Sequence, residues 1–111
     1  WNYQLAIQDG KSGTDANVPV EFTIGNPYPN PFNGIIQFSL YMMKESPVSI
    51  NVIDLSGKQI SRIYNGNLSI GNHNFSWQGK NASGRSVSSG VYYIKVSGKS
   101  TEEWRPVTFV K

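Results

Sequence analysis

From Val20 to Phe109 the chain alternates apolar and polar residues with a period of two, and no 3.6-residue repeat competes with it. Val20, Phe22 and Ile24 alternate with Glu21 and Thr23, and Ile36, Phe38 and Leu40 with Gln37 and Ser39. Val48, Ile50 and Val52 follow the same rule, then His73, Phe75 and Trp77, then Tyr92, Ile94 and Val96, with Val107 and Phe109 last. In an extended strand successive side chains point to opposite faces, so each run has one face to bury and one to show to water. Turn signals separate the runs: Asn33-Gly34, Ser56-Gly57, Asn65-Gly66, Gly71-Asn72, Ser83-Gly84 and Ser89-Gly90. This pattern predicts an all-β fold of about seven antiparallel strands in two packed sheets. A parallel sheet would need crossover helices, and no segment reads as one. The core is expected at Phe32, Phe38, Ile50, Val52, Trp77, Tyr92, Ile94 and Phe109.

Composition supports a single folded domain. Among the 111 residues 38% are apolar and 13% aromatic, enough for a core, while only 15% are charged. Gly, Asn and Ser replace the helix formers. Residues 1–17 read as a separate piece: Trp1 to Ile7 suit a short strand, and Asp9 to Asn17 is a polar linker with two glycines. That piece is either an upstream tail or linker, or an edge strand of the domain that begins at residue 18.

The residue inventory argues against chemistry. There are no cysteines and one histidine, His73, which sits in an alternating strand beside Phe75 and Trp77 and reads as structural. The seven carboxylates form no calcium-loop pattern. No nucleophile, base and orienting group can be assembled from these residues, so no enzymatic activity, metal or cofactor is expected. The formal net charge is +3, but the basic residues are scattered singly, which disfavours nucleic acid as a partner. No apolar run approaches the roughly 20 residues of an integral membrane segment, and no signal-peptide pattern opens the chain. An export signal would lie upstream or be this segment itself. Asp54, at the end of an apolar run, is expected to cap an Asx-type turn. Trp104, ahead of the last run, is the aromatic that could be exposed for sugar stacking.

One stretch is distinctive. Asn26-Pro27-Tyr28-Pro29-Asn30-Pro31-Phe32-Asn33 carries three prolines in five residues, which forbids a helix and holds the intervening residues extended. With so few backbone donors it cannot be a central strand. Phe32 can anchor it, Asn30 and Asn33 can bond exposed backbone, and Tyr28-Pro29 is a candidate cis peptide bond.

The segment Tyr28-Pro29-Asn30-Pro31-Phe32-Asn33 resembles the type A C-terminal sorting domain of the type IX secretion system. Further elements follow in the family's order: Val48 to Leu55 with Asp54 and Ser56-Gly57-Lys58, Gly71-Asn72-His73 through Trp77-Gln78-Gly79, Asn81-Ala82-Ser83-Gly84, Ser89-Gly90-Val91-Tyr92-Tyr93, and a final Val107-Thr108-Phe109-Val110-Lys111. Gln78, where the family more often has Asp, and Tyr41-Met42-Met43, where it often has a shorter Leu-Pro turn, depart from the pattern. The same pattern is shared with the immunoglobulin-like domain of flagellar hook-capping proteins. The resemblance implies an immunoglobulin-like sandwich over residues 18–111. It also implies that the module directs a covalently linked N-terminal cargo across the outer membrane of a Gram-negative bacterium. The implied partners are an outer-membrane secretion translocon and a surface sorting peptidase that cleaves the module off. The implied route is periplasm, then cell surface or medium. Val107 to Lys111 becomes the expected sorting strand, one that a partner could extend by strand addition. The alternative is a passive spacer or carbohydrate-binding accessory module of a secreted enzyme.

Overall fold

The computed structural model describes residues 20–111, so the expected strand at Trp1–Ile7 and the linker at 9–17 lie outside the described residues. The alternating runs form seven strands: β1 (Phe22–Ile24), β2 (Ile36–Met42), β3 (Ser46–Asp54), β4 (Gln59–Leu68), β5 (Gly71–Trp77), β6 (Gly90–Ser97) and β7 (Glu102–Phe109). One sheet has the order β1-β2-β5 and the other β4-β3-β6-β7, with every neighbour antiparallel. The chain changes sheets three times, between β2 and β3, between β4 and β5, and between β5 and β6. The result is the expected two-sheet immunoglobulin-like sandwich.

The alternation is realised residue by residue. Phe38, Leu40 and Met42 of β2 are buried, as are Ile50 and Val52 of β3 and Ile94 and Val96 of β6. All eight residues expected in the core are buried. Each such aliphatic or aromatic side chain, taken fully out of water, contributes about 1.5–3 kcal/mol to folding.

Two local expectations are corrected. Asn65-Gly66 is not a turn but part of β4, where Tyr64 folds back so that its hydroxyl donates to the Asn67 carbonyl at 2.8 Å. A Cβ on Gly66 would stand 3.1 Å from the Tyr64 oxygen, so the glycine makes room for the ring and does not bend the chain. The turn falls instead at Ser69-Ile70, and Gly71-Asn72, also read as a turn signal, opens β5 opposite Met42 and Tyr41.

The second correction concerns the entry to β1. Val20 was expected in the buried row with Phe22 and Ile24, but it is exposed, while Glu21 is only 1% exposed. The hairpin between β6 and β7 explains why. The Glu21 carboxylate accepts hydrogen bonds from the backbone amides of Ser100 and Thr101, both at 3.0 Å, and of Lys99 at 3.2 Å. The Ser46 hydroxyl adds a fourth bond at 3.3 Å. Burial alone would raise the Glu21 pKa, but these four donors outweigh it and hold the carboxyl below its ordinary value.

A depressed folded-state pKa means that the unfolded chain takes up the proton first as pH falls. The stability held by Glu21 is therefore complete above the ordinary value of 4.5 and is lost progressively below it. Urea midpoints of the wild type and of Glu21→Gln, measured from pH 7 to pH 3, should converge toward the acid end. Parallel curves would show that Glu21 does not titrate with folding.

Candidate functional site: the proline motif and the terminal strand

The proline segment closes one side of the sandwich by touching both sheets. Tyr28 pairs with Gln37 of β2 through two backbone hydrogen bonds, each 2.8 Å. Four residues later Phe32 pairs with the end of β7: its amide donates to the Thr108 carbonyl at 2.9 Å, and the Val110 amide donates to its carbonyl at 2.8 Å. The backbone between is poor in donors, because Pro29 and Pro31 have none. Asn30 supplies the missing pairing from its side chain. Its Oδ1 accepts the Thr108 amide at 2.9 Å and its Nδ2 donates to the Pro106 carbonyl at 3.1 Å. Tyr28-Pro29 is cis as expected, and Asn30-Pro31 is cis as well. Asn33 makes no side-chain bond to backbone among the described residues; it borders the groove described below.

Phe32 carries this edge contact into the core. Its ring packs at 5.1 Å from Phe109 and 5.7 Å from Trp77, and Trp77 meets Tyr92 edge-on at 5.3 Å. The four rings come from the motif, β5, β6 and β7, so one aromatic cluster ties the proline motif to three strands. Trp77 satisfies its indole N–H on the Lys80 carbonyl at 2.9 Å, and Tyr92 its hydroxyl on the Ser88 carbonyl at 2.6 Å. The latter is a tyrosine-corner contact. Burial, and then the nearby Asp54 charge, raise the Tyr92 pKa. Gly79 has φ +71° and lies against the Phe109 ring, where an added Cβ would come within 2.7 Å. Both facts exclude a side chain there.

Asp54 does cap a turn. Its Oδ1 accepts the amides of Ser56 and Lys58, both at 2.9 Å, and the Ser56 hydroxyl at 2.6 Å. The Ser56 hydroxyl, then the Lys58 amide, hold its carboxyl below the usual range. The turn signal at Ser83-Gly84 is its twin, with Asn81 in a capping role that the sequence reading did not assign. Asn81 Oδ1 accepts Ser83 N at 3.0 Å, Ser83 Oγ at 2.9 Å and Arg85 N at 3.0 Å. The signal was present, since Asp54-Leu-Ser-Gly-Lys58 and Asn81-Ala-Ser-Gly-Arg85 share one pattern. Gly57 and Gly84 occupy its left-handed position, at φ +91° and +84°. These residues shape the β3–β4 and β5–β6 connections and, among the described residues, make no hydrogen bond to the proline motif or the terminal strand. Gly90 opens β6 opposite Phe109 and belongs to the strand frame.

The terminal strand matches its expected facing. Val107 and Phe109 are buried, Thr108 is half-buried, and Val110 is 47% exposed. Lys111 is exposed, and its amide is held by the Ser89 hydroxyl at 2.9 Å. The expectation of strand addition along this segment is corrected. The outward backbone groups of Pro106, Thr108 and Val110 are already bonded by Asn30 and Phe32. What faces solvent is a shallow groove of about 410 Å³ lined by Pro29, Pro31, Phe32, Asn33 and Val110, with Tyr28 62% exposed in the same segment. The edge therefore presents side chains, not a row of free amides and carbonyls.

Trp104, the candidate sugar platform, is 41% exposed but engaged. Its indole N–H donates to Glu102 at 2.7 Å, the Lys95 ammonium lies 5.2 Å from its ring centre, and Tyr93 meets it edge-on. Among the described residues no group of three or more His, Cys, Asp or Glu side chains could hold a metal, and no helix is long and apolar enough to cross a membrane.

Comparison with known proteins adds two findings. The family model described as the FlgD Ig-like domain matches residues 30–102, more than half of the chain. Among solved structures the fold is similar to dimeric latent PorU from Porphyromonas gingivalis, with a TM-score of 0.65 and 14% sequence identity. That match covers 87% of this chain and 10% of PorU. No curated protein matches the chain.

Proposed function

The chain belongs to the FlgD Ig-like domain family, and from that premise we propose that it is a sorting module that directs an N-terminal cargo through a type IX secretion system. The observation that carries this reading is the joining of the proline motif to the terminal strand. The two segments that the sequence marks out, some 75 residues apart, form one surface through Asn30 and Phe32. A merely structural connection would need Phe32 in the core, but it would not need Pro29, Pro31 and Val110 around one groove with Tyr28 exposed in the same segment. Similarity to one tenth of a long chain fits a β-domain carried as an appendage.

On this reading the module contributes recognition and no catalysis. The cargo crosses the periplasm with the domain attached, the outer-membrane translocon reads the groove and the exposed end of the terminal strand, and a surface peptidase then cuts ahead of residue 18. The cargo ends at the cell surface or in the medium.

The test is a fusion. A periplasmic reporter carrying residues 1–111 at its C-terminus should reach the medium in a bacterium with a type IX system and remain cell-associated when the translocon gene is deleted. Retention of the reporter in the periplasm of the intact strain would leave the domain a spacer.

A further inference from the structure

The Glu21 contact described above has the construction of a binding site. Three consecutive amides, from Lys99, Ser100 and Thr101, converge on one carboxylate, and the Ser46 hydroxyl donates to Oε2, the oxygen that the Lys99 amide also holds. Converging backbone amides of this kind form a concavity that binds anions. Gly98 opens the concavity: a Cβ there would stand 2.5 Å from Glu21 Oε1 and 3.1 Å from the Phe22 ring. The pocket has its own ligand, held 78 to 80 residues away in sequence.

What the ligand holds is equally specific. Strand β1 is three residues long, pairs with β2 alone, and is an edge strand. Its register is Phe22 to Met42, Thr23 to Tyr41 and Ile24 to Leu40. Immediately before it, the Glu21 carbonyl accepts the Met43 amide at 2.9 Å. Three residues of edge strand are too short to hold themselves in place. A carboxylate in a four-donor site supplies the additional anchor, since hydrogen bonds to a charged acceptor are roughly twice as strong as neutral ones.

We propose that the Gly98–Thr101 hairpin is a carboxylate receptor, that Glu21 is its tethered ligand, and that the pair latches β1 onto the sandwich. When the latch is broken, β1 lifts from β2 as a unit while the β3–β6 core stays closed. The freed site then accepts a small carboxylate from solution. The inference is independent of the sorting function.

Hydrogen exchange on the full chain, followed by mass spectrometry, separates this from a general stabilising role. In Glu21→Ala the amides that bond across the β1–β2 pair, those of Thr23, Tyr41 and Met43, should exchange about tenfold faster or more, with β3 and β6 unchanged, as expected for a local opening. Formate should restore the protection, and chloride at equal ionic strength should not. Gly98→Ala keeps Glu21 but fills the receptor, so it should open β1 in the same way and resist rescue by formate. Glu21→Gln, which preserves volume, covers the case in which the alanine variant fails to fold. It should also open β1, because an amide oxygen lacks the charge and its NH₂ faces donors. Equal loss of protection throughout β1–β7, or formate rescue of Gly98→Ala, would overturn the proposal. So would unchanged exchange of β1 in all three variants.

Discussion

Trp77→Ala should cost about 3–5 kcal/mol, and a circular-dichroism melt should show a fall of more than about 10 °C. Trp77 is 2% exposed and touches Phe32, Tyr92 and Phe109, which come from three separate elements. Removing the indole therefore loosens the motif, β6 and β7 together and leaves the Lys80 carbonyl without its donor. A domain of this size has only about 5–15 kcal/mol in total, so the variant is at or past the edge of folding. Trp77→Phe is the informative partner. It keeps most of the aromatic contact and loses the bond to Lys80, so it should fall well short of the alanine loss. A melting temperature for Trp77→Ala within a few degrees of wild type would mean that the aromatic cluster does not hold the two sheets.

The parts of this fold that were legible in the sequence are those governed by local rules. Phe38, Ile50, Val52 and Ile94 are buried because alternation and strand geometry share a period of two, and nothing distant intervenes. Asp54 was legible as a cap because its partners, Ser56 and Lys58, are two and four residues away. The failures are long-range. Glu21 was placed on the solvent face because a carboxylate seldom goes inside, and its amide donors lie near the other end of the chain. The pairing of Asn30 with Thr108 was hidden for the same reason, although two flanking prolines left that stretch dependent on a side chain for its hydrogen bonds. Gly66 was misread because Asn-Gly is a turn signal only where the chain is free to turn, and Tyr64 uses the glycine as a shelf.

Deleting Val107 to Lys111 should abolish export of a fused cargo, and the structure shows why that result alone would say little about recognition. The deletion removes Val107 and Phe109 from the core, takes away the partners of Asn30 and Phe32, and strips two rings of their neighbour. Losing two buried side chains costs several kcal/mol, so the truncated domain should unfold. Recognition has to be read from residues that the fold does not need. Tyr28 is 62% exposed and Val110 47% exposed, and each takes part in the edge through backbone atoms that a substitution leaves in place. The double variant Tyr28→Ala, Val110→Asp should melt within a few degrees of wild type, because exposed substitutions usually change stability by no more than about 0.5 kcal/mol each. It should nevertheless leave most of the reporter in the periplasm, since a carboxylate at Val110 would have to be desolvated against any apolar partner. Asn30→Ala loses two side-chain bonds to β7, so it should lower stability by about 1–3 kcal/mol and impair export in proportion to the loosening of the edge. Lys111→Glu tests the charge alone, because the backbone contact to Ser89 survives the change. If the folded double variant exports cargo at the wild-type rate, the groove is not what the translocon reads. If all the folded variants do so while the unfolded truncation fails, the machinery requires only a folded sandwich, and the motif serves the fold.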